Sequence, residues 1–221
     1  AENLTLSARY SNFIDNQQVK DNDPDHFDTE NNEGDLNLNW NLNSKNNLLA
    51  GVTYLKSDFK SNDVKDKKQS IDSTGYYVQH QYQTDKLNTQ LGVRTEDNEL
   101  FGTHTIGQGA VRYHVLPETS IYANIGSAFK APSLTELYYF SEKSYGNTYG
   151  NPDLKPEESI SYEIGVDQRI GQNLNAFFSA YHTEIKNLIS YKYSKPNSTY
   201  INIDKAEING GELGLKWKKD N

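Results

Sequence analysis

Apolar residues recur at every second position along most of this chain, and that spacing restricts it to β-strands wet on one face. In "GDLNLNWNL" (residues 34–42), Leu36, Leu38, Trp40 and Leu42 alternate with Asn37, Asn39 and Asn41. Leu48, Ala50, Val52 and Tyr54 repeat the pattern, as do Leu87, Leu91 and Val93, and then Val111, Tyr113 and Val115. Ile160, Tyr162, Ile164 and Val166 alternate with Ser161, Glu163, Gly165 and Asp167. Period two over such lengths specifies a strand with one apolar and one polar face. The pattern predicts about ten strands, each near the 9–11 residues that a tilted membrane strand needs.

Composition decides between order and disorder. Only 34% of the 221 residues are hydrophobic and the net charge is −8, values that also occur in disordered chains. Disordered chains are poor in aromatics, whereas this one has 16 Tyr, 8 Phe and 2 Trp. No apolar run approaches the roughly 20 residues of a membrane helix, which leaves membrane barrels open, because their strands alternate. No run is strongly basic, so nucleic acid is not an expected partner. With no Cys, neither disulfides nor thiolate metal sites are available.

The connections alternate between short and long. Turns are expected at residues 43–47, 84–86, 116–119 and 171–173, and longer polar loops at 16–32, 57–70, 97–103, 130–158 and 192–198. Short turns at one end and long loops at the other are the plan of outer-membrane barrels. The polar face carries Arg94 with Glu96, and Glu163, Asp167 and Arg169. Unpaired charge in a packed interior is costly, and a basic residue facing mid-bilayer costs about 2–4 kcal/mol, so the apolar face must look outward and the polar face line a wet lumen. The fold class is therefore all-β: an antiparallel meander forming part of a larger transmembrane β-barrel. No helix with an apolar stripe is expected.

The stretch "GSAFKAPSLTELYYFSEKSYGNTYGNPDLKPEESISYEIGV" (residues 126–166) resembles the long outer loop of TonB-dependent outer-membrane transporters. There "FKAP-L-ELY" ends one strand and "GNP-L-PE-S---E-G" leads into the next, with Glu158, Ser159, Glu163 and Gly165 in phase. "RTEDNELFGTHTIGQGAVRYHV" (residues 94–115) and "YHTEIKNLISY" (residues 181–191) are similar to the cobalamin (vitamin B12) transporter branch. "NDPDHF" (residues 22–27) resembles an outer loop that binds calcium there.

The resemblance implies a barrel of about 22 strands around an N-terminal plug, with a segment gripped by the TonB energy-transducing complex. No plug is expected within residues 1–221, which read as a partial barrel domain without the last strands; the lack of any Met, even at position 1, fits a processed or excised chain. The function implied is binding and import of cobalamin or a related corrinoid, with the lipid bilayer as surroundings and no enzymatic activity. The alternatives are the same fold importing a ferric siderophore or haem, and a small complete outer-membrane barrel with an adhesin or structural role.

Candidate ligand contacts lie in the outer loops: Tyr138, Tyr139, Tyr145 and Tyr149, whose flat faces and hydroxyls suit a bulky amphipathic ligand, and Asp97 and Asn98. Tyr138 and Tyr139 equally fit an aromatic girdle or packing of the loop on itself, readings less suited to Tyr145 and Tyr149 at the loop's centre. No cofactor is required, but calcium is a candidate at Asp21, Asp23, Asp25 and Asp28, dense enough in oxygen for a cation that takes 6–8 oxygen ligands. A solvated acidic loop is the competing reading of the same residues. Pro152 and Pro156 should stiffen the return of the long loop, with its acidic residues at the wet rim.

Overall fold

The computed structural model describes residues 3–19, 25–62, 68–143 and 146–218. Within them one twelve-stranded sheet forms. Its strands in chain order are β1 (Leu4–Val19), β2 (Asp25–Asn43), β3 (Asn46–Ser61), β4 (Lys68–Gln83), β5 (Leu87–Asn98), β6 (Gly102–Leu116), β7 (Thr119–Lys130), β8 (Phe140–Lys143), β9 (Gly146–Tyr149), β10 (Glu157–Ile170), β11 (Leu174–Lys192) and β12 (Asn197–Trp217). One short helix, α1 (Leu134–Tyr138), precedes β8. The spatial order is β1-β2-β3-β4-β5-β6-β7-β10-β11-β12-β9-β8. Ten long strands thus form an antiparallel meander, and the β8–β9 hairpin attaches to β12 through a parallel pairing of Asn147–Tyr149 with Asn197–Thr199.

The register puts the expected faces where alternation requires. Leu6, Leu38, Ala50 and Val78 stand in one row across β1–β4, with Leu4 and Trp40 paired beside them on the same face. That face is open to the surroundings: Ile164 is 63% exposed, Leu213 76% and Leu215 72%. The opposite face carries the polar side chains, cross-linked from strand to strand and partly covered. A wall of this kind has almost no core. Its cohesion comes from the ladder of backbone hydrogen bonds and from cross-strand side-chain pairs.

The short turns fall as expected and have local causes. The Asn43 carboxamide oxygen accepts from Lys45 N (2.9 Å) and Asn46 N (3.0 Å), an Asx turn. Thr84 Oγ1 accepts from Leu87 N at 2.9 Å while Thr84 N donates to Leu87 O. Gly171 closes the β10–β11 turn at φ 63°, a conformation that favours glycine.

The long-loop end differs from expectation. β1 and β2 pair as far as Val19 and Asp25, β3 and β4 as far as Lys60 and Lys68, and β11 and β12 as far as Lys192 and Thr199. The strands run to 12–21 residues along the wall, the longest about twice the roughly 9–11 that a tilted membrane strand needs. The physical reason is that these strand tips are wet on both faces, so alternation disappears while the backbone ladder continues. The second correction is α1, a helix where none was expected. Five residues cannot sustain a helix alone; this one is held at its cap and by burial of Leu134 and Leu137.

Candidate functional site

The buried apolar residues of the described chain belong to the long-loop end. Phe59 of β3, Ile71 of β4, and Leu134, Leu137 and Leu154 of the loop between β7 and β10 form one cluster. Phe27, Phe101, Tyr138, Ile189 and Tyr200 pack around it. Phe59 and Ile71 lie on the polar, inner face of their strands, so the loop reaches inward over the mouth. It meets β2–β4 on one side and β11–β12 on the other.

The loop is built from its own signals. Pro132 is fully buried, and Ser133 caps α1: its hydroxyl accepts from Glu136 N (3.2 Å) while Glu136 Oε2 accepts from Ser133 N (2.7 Å). The helix is then clasped from outside. Gly150 N donates to Tyr139 O (2.6 Å) and Asn151 N to Glu136 O (2.8 Å). A β-carbon on Gly150 would stand 2.6 Å from the Leu137 carbonyl and the Tyr138 nitrogen, so only glycine permits this approach.

The remainder of "GNPDLKPEES" fastens the loop to the wall. Asn151 Nδ2 donates to Tyr200 O (2.9 Å), and the Asn202 carboxamide pairs with the Lys155 backbone in both directions at 2.9 Å. Glu157 Oε1 accepts from Ile189 N (3.0 Å) and from Lys130 Nζ (3.1 Å). Beside that contact Asn187 takes a left-handed backbone (φ 53°), and its carbonyl accepts from Asn202 Nδ2. Glu157 is therefore a fastening of the loop rather than only a charge at the rim.

The residues expected at the site are placed as follows. Tyr138 is half-buried against the cluster. Tyr139 stacks on Phe27 with ring centroids 6.3 Å apart, and Tyr149 tilts against Phe140 at 5.4 Å. The Gly150–Tyr139 and Phe140–Tyr149 pairings bring these tyrosines to one side of the mouth. Asp97 is exposed and accepts from Thr103 Oγ1 at 3.0 Å. Asn98 is buried, its carboxamide oxygen accepting from Leu100 N and Phe101 N, where it shapes the β5–β6 turn. Tyr145, Asp21 and Asp23 lie outside the described residues. Asp25 begins β2, and Asp28 pairs across to Asn16 and Lys60.

Alternation alone did not point to Phe27, Phe59, Ile71, Tyr200, Asn151 or Asn202. The signal for the helix was present, since Ser-x-x-Glu at Ser133–Glu136 is a capping-box pattern. The contacts of Asn202 have no local signal; they exist only once the loop is folded.

Tyr200, packed in this cluster near the strand tip, has its phenol pKa raised, first by burial and then by Glu136. Among the described residues no group of three or more His, Cys, Asp or Glu could hold a metal ion.

Below the mouth the inner face is a cross-linked polar lining. Arg94 donates to Glu96 (3.1 Å) and to Thr53 Oγ1 (2.7 Å). Tyr77 donates to Asp35, Arg112 pairs with Asp167, and Glu163 accepts from both Tyr122 and Asn124. The Arg112 guanidinium also lies 4.8 Å from the Tyr122 ring centroid. The rings lie flat because glycine stands directly opposite each: Gly51 under Tyr77, Gly165 under Tyr122, Gly210 under Tyr181 and Gly214 under Phe177. This lining presents donors and acceptors held in place by one another. These charges are engaged with one another and with neighbouring hydroxyl and amide groups.

A barrel wall with a polar bore, short turns at one end and an inward-folded loop at the other is the architecture of a receptor barrel. The family model "TonB dependent receptor-like, beta-barrel" matches residues 2–219, and the chain belongs to that family. The family is one of outer-membrane receptors and transporters, not enzymes. Among curated relatives, the vitamin B12 transporter BtuB of Photobacterium profundum is 33% identical over 171 residues, covering 75% of this chain and 27% of the relative. BtuB of Vibrio vulnificus is 29% identical with the same coverage. The chain therefore spans little more than a quarter of these relatives. Among solved structures, the siderophore receptor PirA from Pseudomonas aeruginosa superposes with a TM-score of 0.79 at 21% identity, over 94% of this chain and 40% of that one. The ferric enterobactin receptor PfeA in complex with BCV-L6 gives 0.72 at 17% identity, over 95% and 38%. At these identities the structural likeness establishes the shared barrel fold and nothing about ligand.

Proposed function

We propose that this chain is a wall-and-mouth portion of an outer-membrane TonB-dependent transporter that binds and imports cobalamin or a related corrinoid. The observation that carries this reading is the 33% identity to a vitamin B12 transporter across three quarters of the chain. The half-buried tyrosines at the mouth support it: Tyr138, Tyr139 and Tyr149 are held on a folded loop, so little ordering cost falls on binding. Tyr145, Asp97 and Asn98 complete the outer-loop set, Asn98 by shaping its turn. Calcium at Asp21, Asp23, Asp25 and Asp28 would order the β1–β2 tip and so the mouth beside it. Energy for import would come from TonB acting on a plug within the bore, whose polar lining offers it fixed hydrogen-bonding partners.

The test is binding of cyanocobalamin and of a ferric siderophore to outer membranes carrying the full-length protein, with and without calcium. Saturable corrinoid binding, tightened by calcium and not displaced by the iron chelate, is expected. Saturable binding of the iron chelate alone would replace the ligand and leave the fold assignment standing.

A further inference from the structure

The outer face of the wall is not uniformly convex. Between β6 and β7 the ladder stops at Gln108 and Gly126, although both strands continue outward for several residues. Where the next rung would be, Ser127 Oγ accepts from Gly107 N (2.8 Å) and donates to Gly107 O (3.3 Å). Beyond it the strands part, and the His104 ring crosses the gap to stack on Phe129 with centroids 3.9 Å apart.

A groove follows from this parting. Its middle section, about 620 Å³, has Gly107 and Gly109 as floor and Leu91, Val93, Ile125 and Ile160 as sides. It continues past Gly109 into a second apolar hollow of about 440 Å³ between Leu91, Ala123 and Ile164. Outward it opens, through Ser127 and Ile160, into a polar hollow of about 360 Å³ lined by His104, Thr105, Glu158 and Lys186. The floor is open because it is glycine. A β-carbon on Gly107 would meet only the Gly92 carbonyl, at 3.6 Å, and one on Gly109 would fill the space between Ile125 and Leu91.

The charges at the polar end are unevenly satisfied. Glu184 is engaged by Lys205 at 2.9 Å, and Glu158 lies 3.8 Å from His104. Among the described residues Lys186 has no carboxylate within ion-pair distance. The groove thus runs from this cation at the rim to an apolar trough at membrane depth, continuous with the face that meets the bilayer.

We infer that the β6–β7 groove is a resident lipid site, with one acyl chain over Gly107 and Gly109 and an anionic phosphate headgroup at Lys186. The inference rests on the reading of this wall as membrane-embedded. A chain held there has fewer free neighbours than one on the convex wall, and the headgroup contact fixes its depth.

The test uses the full-length protein in vesicles of phosphatidylethanolamine and phosphatidylglycerol. A small fraction of the phosphatidylglycerol carries a photoactivatable diazirine at mid-chain, and adducts are mapped by mass spectrometry. Adducts should be several-fold enriched at Leu91, Val93, Ile125 and Ile160 over the equally apolar Leu213 and Leu215. Gly109→Leu should abolish the enrichment while labelling at Leu213 and Leu215 stays unchanged, and Lys186→Gln should weaken it when the probe lipid is anionic. Retained resistance to unfolding by unheated detergent controls for folding of the variants. Even labelling in the unaltered protein, or protein–protein adducts at the groove in place of lipid ones, would overturn the site. Absence of lipid adducts at Leu213 and Leu215 as well would overturn the membrane reading on which it rests.

Discussion

The wall and the mouth loop are held together by different physics. Along the wall, Ile164 and Leu213 stay exposed, and neighbouring strands are joined rung by rung, as in the thirteen-rung register from Glu158↔Lys186 to Ile170↔Leu174. Between β7 and β10, a short piece of chain makes a small conventional core from Leu134, Leu137 and Leu154, and borrows Phe59 and Ile71 from the opposite strands. A wall of this kind tolerates local damage because each rung is supported by its neighbours. The loop depends on a few buried side chains and close backbone contacts, so single changes should release it whole. Binding at the mouth would then be lost with the barrel intact.

The largest expected effect separates the two regions directly. Leu137 is 2% exposed, and Leu137→Ala should cost about 2–5 kcal/mol, as truncations of buried leucine do. Hydrogen exchange should accelerate through residues 131–156 and stay unchanged in residues 76–94, at the short-turn end of β4 and β5. Equal acceleration in both would break the contrast. Next, Ile164→Arg places a charge on the lipid face at a cost of about 2–4 kcal/mol. It should lower the yield of membrane-inserted barrel and leave exchange in the loop unaltered.

A sharper probe of the loop is Gly150→Ala, where the clash is with backbone rather than with a yielding side chain. Overpacking of this kind costs about 1–3 kcal/mol. New protease cleavage within residues 131–156 is expected, without loss of the folded barrel band on unheated gels; resistance equal to wild type would show that the clasp at Gly150 does not hold α1. The smallest effect concerns pH. The Tyr200 phenol is raised by burial, so its neutral form is favoured in the folded loop. The stabilisation is present below the ordinary tyrosine pKa, near 10, and is lost as pH rises through the folded value. Loop exchange should therefore quicken in alkali more than that of β5, and Tyr200→Phe should remove the difference.

How far each region could be read in advance follows from the same contrast. Alternation identified the outward faces of the wall because half-burial is what period two records: Leu36, Leu38 and Trp40 were sorted from Asn37, Asn39 and Asn41 without further knowledge. It failed along residues 25–34 of β2, where "DHFDTENNEG" is polar on both faces and yet fully paired. In the loop, prolines and the motif located the return strand; the capping-box pair Ser133 and Glu136 was present in the sequence but was not read as a helix start. The direction in which the loop folds was not legible. It depends on Phe59 and Ile71, which are remote in sequence and lie on a face that reads as wet. Of the mouth residues, Tyr138, Tyr139 and Tyr149 were visible as aromatics, but the turn-shaping task of Asn98 and the fastening tasks of Asn151 and Glu157 emerge only from folded geometry.

The flat rings of the bore have a consequence for how such a chain can change over generations. Tyr181 occupies the space that a side chain at Gly210 would need, and Tyr122 does the same at Gly165. A change at one partner is felt at the other: a methyl group at the glycine forces the ring to shift, and loss of the ring bares a strip of backbone to the channel. The packing along the bore is therefore set in two-residue units, each spanning neighbouring strands. Altering the packing of the bore thus favours paired replacements over single ones.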